Sequence, residues 1–286
     1  MQKISGNIGL RYSIFNSDIT YSSLQPRLSL NYLLNNSFAL KASYARMTQF
    51  LHVLVNDALG VPTDSWIISK KEVLPAQSWQ IAFGIAKNIF KDYEFSLEFY
   101  QKGLENLVSY KEGSGFLSQE SNWEDKVTQG KGTSRGIELL IQKKEGKLAG
   151  WVSYTLAQTD RQFDLINEGK TYPFRYDRRH EFSIVGTYRI TNRITFSANW
   201  SFATGNSVTL PFRVYRSVIV KQNFDGEEEF FSTFIDYGER NGFRTRAIHR
   251  LDFGFEFYKK RKMMERRWSV GFYNAYNRSN PFYFLL

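Results

Sequence analysis

The chain has 286 residues, enough for one large or two ordinary domains, and no apolar run approaches the ~18 residues of a transmembrane helix, which leaves only strands to cross a bilayer. With no cysteine, disulfides, thiolate metal sites and cysteine nucleophiles are excluded together. The net charge of +10 does not amount to a nucleic-acid surface, because the basic residues sit mostly in turns and on polar faces, and the one dense cluster, Lys259–Arg267, falls between two strands.

Aromatic residues stand out, with 25 Phe, 17 Tyr and 6 Trp, and from the first residues they alternate with polar ones. Ile4, Ile8, Leu10, Tyr12 and Ile14 take one side of a strand, and Ser5, Asn7, Arg11 and Ser13 the other. After a short connection, Pro26, Leu28, Leu30 and Tyr32 alternate with Gln25, Arg27, Ser29 and Asn31. Asn35-Asn36-Ser37 forms a tight turn into Phe38, Leu40, Ala42 and Tyr44. A long irregular segment is expected over 55–77, followed by Trp79, Ile81, Phe83 and Ile85 on one face. The chain then turns into Tyr93, Phe95, Leu97 and Phe99, opposed by Glu94, Ser96 and Glu98.

A second long loop is expected over 111–130, ahead of Ile137, Leu139 and Ile141, and Lys144-Glu145-Gly146-Lys147 makes a hairpin turn into Val152, Tyr154 and Leu156. A third loop, 160–176, leads to a clear hairpin: Phe182, Ile184 and Tyr188 in its first strand, then Ile194, Phe196, Ala198, Trp200 and Phe202 in its second. The longest loop, 205–245, precedes Leu251, Phe253, Phe255 and Phe257, which alternate with Asp252 and Glu256. The basic turn and Trp268, Val270 and Phe272 follow.

The pattern gives about eleven strands, most of them longer than the ~5–6 residues of soluble strands and near the ~9–11 of tilted membrane strands. Long loops alternate with short turns, as in a barrel with its turns on one side of a membrane and its loops on the other. The expected fold is therefore all-β, an antiparallel transmembrane β-barrel, present here as a partial barrel or curled open sheet. Backbone N–H and C=O groups in lipid must all find strand partners, so such a sheet must close. Eleven is odd where bacterial single-chain barrels are even, so at least one strand is expected to lie outside this chain. The opening MQKISGNIGLRYS has no apolar signal core, which fits a true beginning further upstream.

On this reading Phe182, Ile184, Phe196, Trp200, Leu251, Phe253, Phe255 and Phe257 face lipid, while Glu94, Glu98, Asn199, Asp252 and Glu256 face a wet lumen. Trp79, Trp151, Tyr188, Trp200 and Trp268 are read as an interfacial aromatic girdle. Ligand contacts are expected in the long loops, with Trp66, Trp123 and Arg213 as candidates.

Several segments, in order along nearly the whole chain, resemble the barrel of Bacteroidetes-type TonB-dependent outer-membrane receptors: Ser43–Trp66, Gly146–Phe163, YPFRYDRRHEFSIVGTY at Tyr172–Tyr188, TGNSVTLP at Thr204–Pro211, Glu239–Phe257 and YNAYNRSNPFY at Tyr273–Tyr283. The resemblance implies a 22-stranded barrel around an N-terminal plug, driven by TonB-ExbB-ExbD to take up a scarce nutrient such as a metal chelate, cobalamin, peptide or glycan. Against that pattern, residues 1–286 would be the C-terminal part of the barrel, without plug or last strand, and the coupling to TonB-ExbB-ExbD would run through the absent plug.

Catalytic and cofactor signatures are not found. His52, His180 and His249 lack metal-ligand spacing, and a structural role is favoured for each. Tyr176-Asp177-Arg178-Arg179-His180 is dense enough to suggest catalysis, but alternating charges at a loop-to-strand junction are favoured to pair across strands. A passive porin and a soluble β-rich binding protein stand as alternatives to the receptor, and no enzyme activity is expected.

Overall fold

The computed structural model describes residues 3–54, 64–90, 92–114, 122–223, 226–262 and 264–280. The strands in chain order are β1 (Ile4–Asn16), β2 (Thr20–Asn35), β3 (Phe38–Gln49), β4 (Leu51–Leu54), β5 (Ser65–Ile68), β6 (Ala76–Ile89), β7 (Tyr93–Tyr110), β8 (Val127–Lys143) and β9 (Leu148–Gln162). They continue with β10 (Tyr172–Pro173), β11 (His180–Thr191), β12 (Ile194–Ala203), β13 (Ser207–Val208), β14 (Pro211–Asn223), β15 (Gly226–Tyr237), β16 (Phe243–Arg244), β17 (Ile248–Lys260) and β18 (Glu265–Phe272).

Eleven long strands form one antiparallel meander, in the order β1-β2-β3-β6-β7-β8-β9-β11-β12-β17-β18, with the short β10 added beside β9. Each strand pairs with its successor because a short turn joins every second pair, which keeps neighbours in sequence neighbours in space. Among the described residues the sheet is open: β1 pairs only with β2 and β18 only with β17.

Alternation sorts the side chains onto two faces. On the apolar face Ile184 lies opposite Trp200, which lies opposite Leu251, and Phe196 lies opposite Phe255. The rings touch across strands, with centroids 5.1 Å apart for Phe196 and Phe255, 5.7 Å for Phe182 and Trp200, and 5.1 Å for Phe253 and Phe272. On the polar face Asn199 is opposite Asp252, Thr195 opposite Glu256 and Glu98 opposite Glu138. Among the described residues nothing covers the aromatic face: Phe83, Phe99, Ile184 and Phe257 are exposed, and the fully buried side chains Leu54, Val73, Phe163 and Ile166 all lie among the long loops. A soluble sandwich would bury these rings under a second sheet.

The apolar band also crosses the sheet obliquely. On β6 it comprises Trp79, Ile81, Phe83 and Ile85, flanked by Gln77 and Lys87; on β17 it comprises Leu251, Phe253, Phe255 and Phe257, flanked by His249 and Lys259. The row of paired residues through Ile85 runs Leu97, Leu139, Tyr154, Phe182, Phe202 and His249. Had the band followed that row it would meet Phe257; it meets His249, eight residues away, after six strand-to-strand steps. At ~3.3 Å per residue and ~4.8 Å between strands, the slide is ~26 Å over ~29 Å, an angle of about 40°. That is the inclination of strands to the axis of a membrane barrel. A band level with a bilayer must slide in this way when the strands lean.

Two expectations need amendment. The stretch 205–245 is not an irregular loop: β14 and β15 form a long hairpin, while β13 and β16 pair across its base. Trp151 shares a face with Val185 and Gln142, its partners in the ladder, rather than with the outward aromatics, because it sits one residue out of step with Val152.

Candidate functional site

All the long connections emerge at one end of the sheet, and there they knit into a collar. Its hinge point is Asp177, whose carboxylate is buried and takes Nη2 of Arg244 at 2.6 Å, with Arg179 at 3.7 Å, while the backbone N–H of Thr159 donates to its Oδ1 at 2.7 Å. Arg244 also donates to the carbonyls of Asp177 and Gly205. A buried carboxylate needs such saturation, since leaving its charge unpaired costs several kcal/mol. The dense charges before β11 are therefore spent on joining the connection after β9 to the one after β12. Asn241 adds to the junction by donating to the carbonyl of Pro173 and accepting from Thr209. Gly205 is required where it stands, because a Cβ there would lie 2.1 Å from the carbonyl oxygen of Thr245.

Two small apolar clusters stiffen the collar. Leu54, Val73, Val108, Tyr110 and Val127 bury each other, with Ile67 and Trp123 packed against them. Phe163, Ile166 and Tyr172 form the second, next to Leu107. Between these clusters Asn106 adopts a left-handed conformation (φ 56°) at an irregularity in the β7–β8 ladder, and its side chain donates to the carbonyl of Pro75 at 3.0 Å. Asparagine tolerates that backbone region better than most residues.

Electrostatics at this end are mostly settled locally. Lys70 donates to Glu124 at 2.6 Å, a bond that raises the lysine and lowers the carboxyl relative to their ordinary values. The backbone N–H of Lys71 likewise holds Asp18 low. His52 is buried in the β4–β5 hairpin with its Nε2 3.0 Å from Ser69 Oγ, and burial pushes its pKa down. His180 and His249 each place Nδ1 2.8 Å from a tyrosine hydroxyl, of Tyr154 and Tyr276. Among the described residues no group of three or more His, Asp or Glu side chains is arranged to hold a metal ion.

The three loop candidates are not brought together into one site. Trp66 stands on β5 with 70% of its surface exposed. Trp123 begins a short 3-10 turn and is half-buried against the first apolar cluster, with Lys70 Nζ 5.3 Å from its ring centre. Arg213 lies near the base of the β14–β15 hairpin, exposed, beside the ring of Phe212. The residues that organise the collar, Asp177 with Arg244, lie 67 positions apart; Asp177 falls in the charge-rich Tyr172–Tyr188 segment and Arg244 in the Glu239–Phe257 segment, and nothing in the sequence pattern joins the two.

On the polar face, Glu94 pairs with Lys144 at 2.5 Å, and small residues (Ser5, Asn7, Ser29, Ser43, Ala82) surround Lys41 and Glu98 in a shallow hollow of ≈ 480 Å³. A wall of small polar side chains leaves room for bulk beside it.

No curated protein matches this chain. Among solved structures it is similar to the FrpB iron transporter of Neisseria meningitidis (TM-score 0.62, 11% identity, 97% of this chain and 39% of that one). It is also similar to the siderophore receptor PirA of Acinetobacter baumannii (TM-score 0.59, 12% identity, 96% and 40%) and to the ferric-catecholate import receptor Fiu of E. coli (TM-score 0.56, 12% identity, 91% and 31%). At such identities the likeness is one of fold, and the chain spans 31–40% of those proteins' lengths. The family model for TonB-dependent receptor-like β-barrels matches residues 2–278. A meander of long strands, an oblique apolar band and a collar of loops at one end agree with that match, and the chain belongs to the TonB-dependent receptor-like β-barrel family of the outer membrane.

Proposed function

We propose that this chain is the C-terminal part of the barrel wall of an outer-membrane receptor that takes up a scarce nutrient with energy from TonB-ExbB-ExbD, the coupling made through a plug outside these residues. The observation that carries the reading is the apolar band inclined by about 40° to the strand rows. On this reading Phe182, Ile184, Phe196, Trp200, Leu251, Phe253, Phe255 and Phe257 touch lipid. Glu94, Glu98, Asn199, Asp252 and Glu256 then line the bore beside the plug.

The ligand meets the loop collar first. Trp66, with its exposed ring, and Arg213 are the contacts we favour, while Trp123 packs against the apolar cluster beside the β4–β5 hairpin that carries Trp66. Exposed arginines at this end (Arg178, Arg213, Arg246) suit a ligand with carboxylates or other anionic groups. A ferric chelate is therefore the first nutrient to try, and the names of the iron and siderophore receptors that share the fold support that order.

The test is uptake of radio-iron chelates, with cobalamin as comparison, by cells carrying or lacking the full-length receptor gene and by cells lacking TonB. Loss of uptake in both deletions supports the reading. Solute flux through the purified protein in liposomes, with uptake indifferent to TonB, would establish a passive porin instead.

A further inference from the structure

The positive charge of the chain is gathered at the end of the sheet away from the collar. The stretches 87–94, 143–147, 189–193 and 259–267, which span four of the short turns, hold thirteen Lys and Arg against four Asp and Glu, +9 of the chain's +10. The two faces of the sheet treat these charges differently. On the polar side Lys144 pairs with Glu94, while Lys260 and Arg267 share Glu265 at 4.0 and 3.9 Å. On the apolar side Lys87, Lys143, Lys259 and Arg266 stand just past the edge of the band, and among the described residues none of them meets a carboxylate. Rings are what two of these cations touch instead: Arg266 Cζ is 4.9 Å from the ring centre of Trp268, and Lys143 Nζ is 4.6 Å from that of Tyr93. Lys87 and Lys143 stand singly. Lys259 and Arg266 lie directly opposite each other across β17 and β18, and like charges so placed weaken a sheet.

A pair of cations without carboxylates, on the side of the sheet that meets lipid, draws its anion from the lipid. Lys259 lies two residues beyond Phe257, the last ring of the band on β17. At ~3.3 Å per residue and a lean of about 40°, that is ~5 Å past the band edge. The headgroup layer is ~5–8 Å deep on either side of the ~30 Å hydrocarbon core, so Lys259 and Arg266 reach the phosphates of the leaflet at the turns. We propose that Lys259, Arg266 and Trp268 form a binding site for an anionic glycerophospholipid of the periplasmic leaflet, phosphatidylglycerol in chemical class. The proposal rests on the outer-membrane reading above. One phosphate seated between the two side chains relieves their repulsion, the guanidinium donating to two of its oxygens and the ammonium to one. The Trp268 indole, directly opposite Phe257, sits at the boundary between heads and chains, the level that suits an amphipathic ring. A zwitterionic head is the poorer ligand, because its own ammonium offsets the phosphate and is repelled by both cations.

The test uses the full-length receptor, extracted from outer membranes in mild detergent and presented with phosphatidylglycerol or phosphatidylethanolamine, with and without an excess of inorganic phosphate, bound lipid being counted by native mass spectrometry. The wild type is expected to hold phosphatidylglycerol at least tenfold more tightly than phosphatidylethanolamine, and inorganic phosphate should not displace it. Lys259→Gln and Arg266→Gln should each weaken phosphatidylglycerol severalfold and together at least tenfold, all keeping the heat-sensitive gel mobility of a folded barrel. Lys260→Gln, the same loss of charge one residue away on the polar side, should leave retention unchanged. Equal retention by wild type and both folded single variants overturns the site. An equal loss from Lys260→Gln also overturns it, by moving the anion to the periplasmic tip, as does displacement by inorganic phosphate, which would make the ligand a free anion. Failure of the protein to fractionate with outer membranes overturns the membrane reading and the site with it, whereas absence of the phosphatidylglycerol preference in a protein that does fractionate there overturns the site alone.

Discussion

Phe255→Arg offers a direct measure of which face meets lipid. Phe255 is the third of four band residues on β17, flanked beyond the band by His249 and Lys259, so it lies close to mid-depth. Its ring centre is 5.1 Å from that of Phe196, and Val270 is its partner on β18. Arginine at the bilayer midplane costs a barrel ~2–4 kcal/mol, and loss of the ring pair adds ~0.5–1.5 kcal/mol. The same change at Phe257, one row from Lys259 and able to reach the interface, should cost ~0–1 kcal/mol beyond its own lost contacts. Glu256→Gln, on the opposite face across from Thr195 and Ser269, should stay within ~0.5 kcal/mol. Guanidinium unfolding of the full-length receptor in phospholipid vesicles reads all three. If Phe255→Arg and Glu256→Gln have equal, small effects, or if Phe257→Arg costs as much as Phe255→Arg, the band is not a depth gauge and the faces are wrongly assigned.

Other expectations concern the collar. Asp177→Asn leaves the fold's shape but removes the charge that gathers Arg244 and Arg179; hydrogen bonds to charged groups are worth ~1.5–3 kcal/mol each, so amide exchange at Thr159 should accelerate at least tenfold while the band strands keep their protection. Gly130→Ala places a Cβ 2.3 Å from the carbonyl oxygen of Gln162 and against the Phe163 ring, and should cost ~1–3 kcal/mol, read as a lower unfolding midpoint. His52 is held below its ordinary value of 6.5 by burial, so below about that pH the unfolded hairpin binds a proton that the folded one refuses. Stability of the β4–β5 hairpin should thus fall as pH drops through 6.5 toward the folded value, with protease cleavage there faster at pH 5.5 than at 7.5. His52→Gln should flatten that difference, and an unchanged pH profile would remove His52 as its cause.

Much of the wall is legible without coordinates because a strand's facing pattern is set by its own neighbours: alternation at Phe196–Phe202 or Leu251–Phe257 needs no partner to be read. Where both parities are apolar, as at Trp151 and Val152, sequence leaves the face ambiguous, and pairing with Val185 resolved it. The β14–β15 hairpin is not legible in the sequence because Val214 and Val218 share their face with Arg216, while Tyr215 shares the other with Arg213, so neither side reads as consistently apolar.

Local pattern thus determined that this chain makes long antiparallel strands with one greasy and one polar side, and roughly where each begins and ends. Tertiary structure alone decided the slant of the apolar band, since that depends on the register between strands. It also decided the union of Asp177 with Arg244 and the seat of Trp79 on Gly103, because residues remote in the chain, or on different strands, become neighbours only when the sheet is assembled.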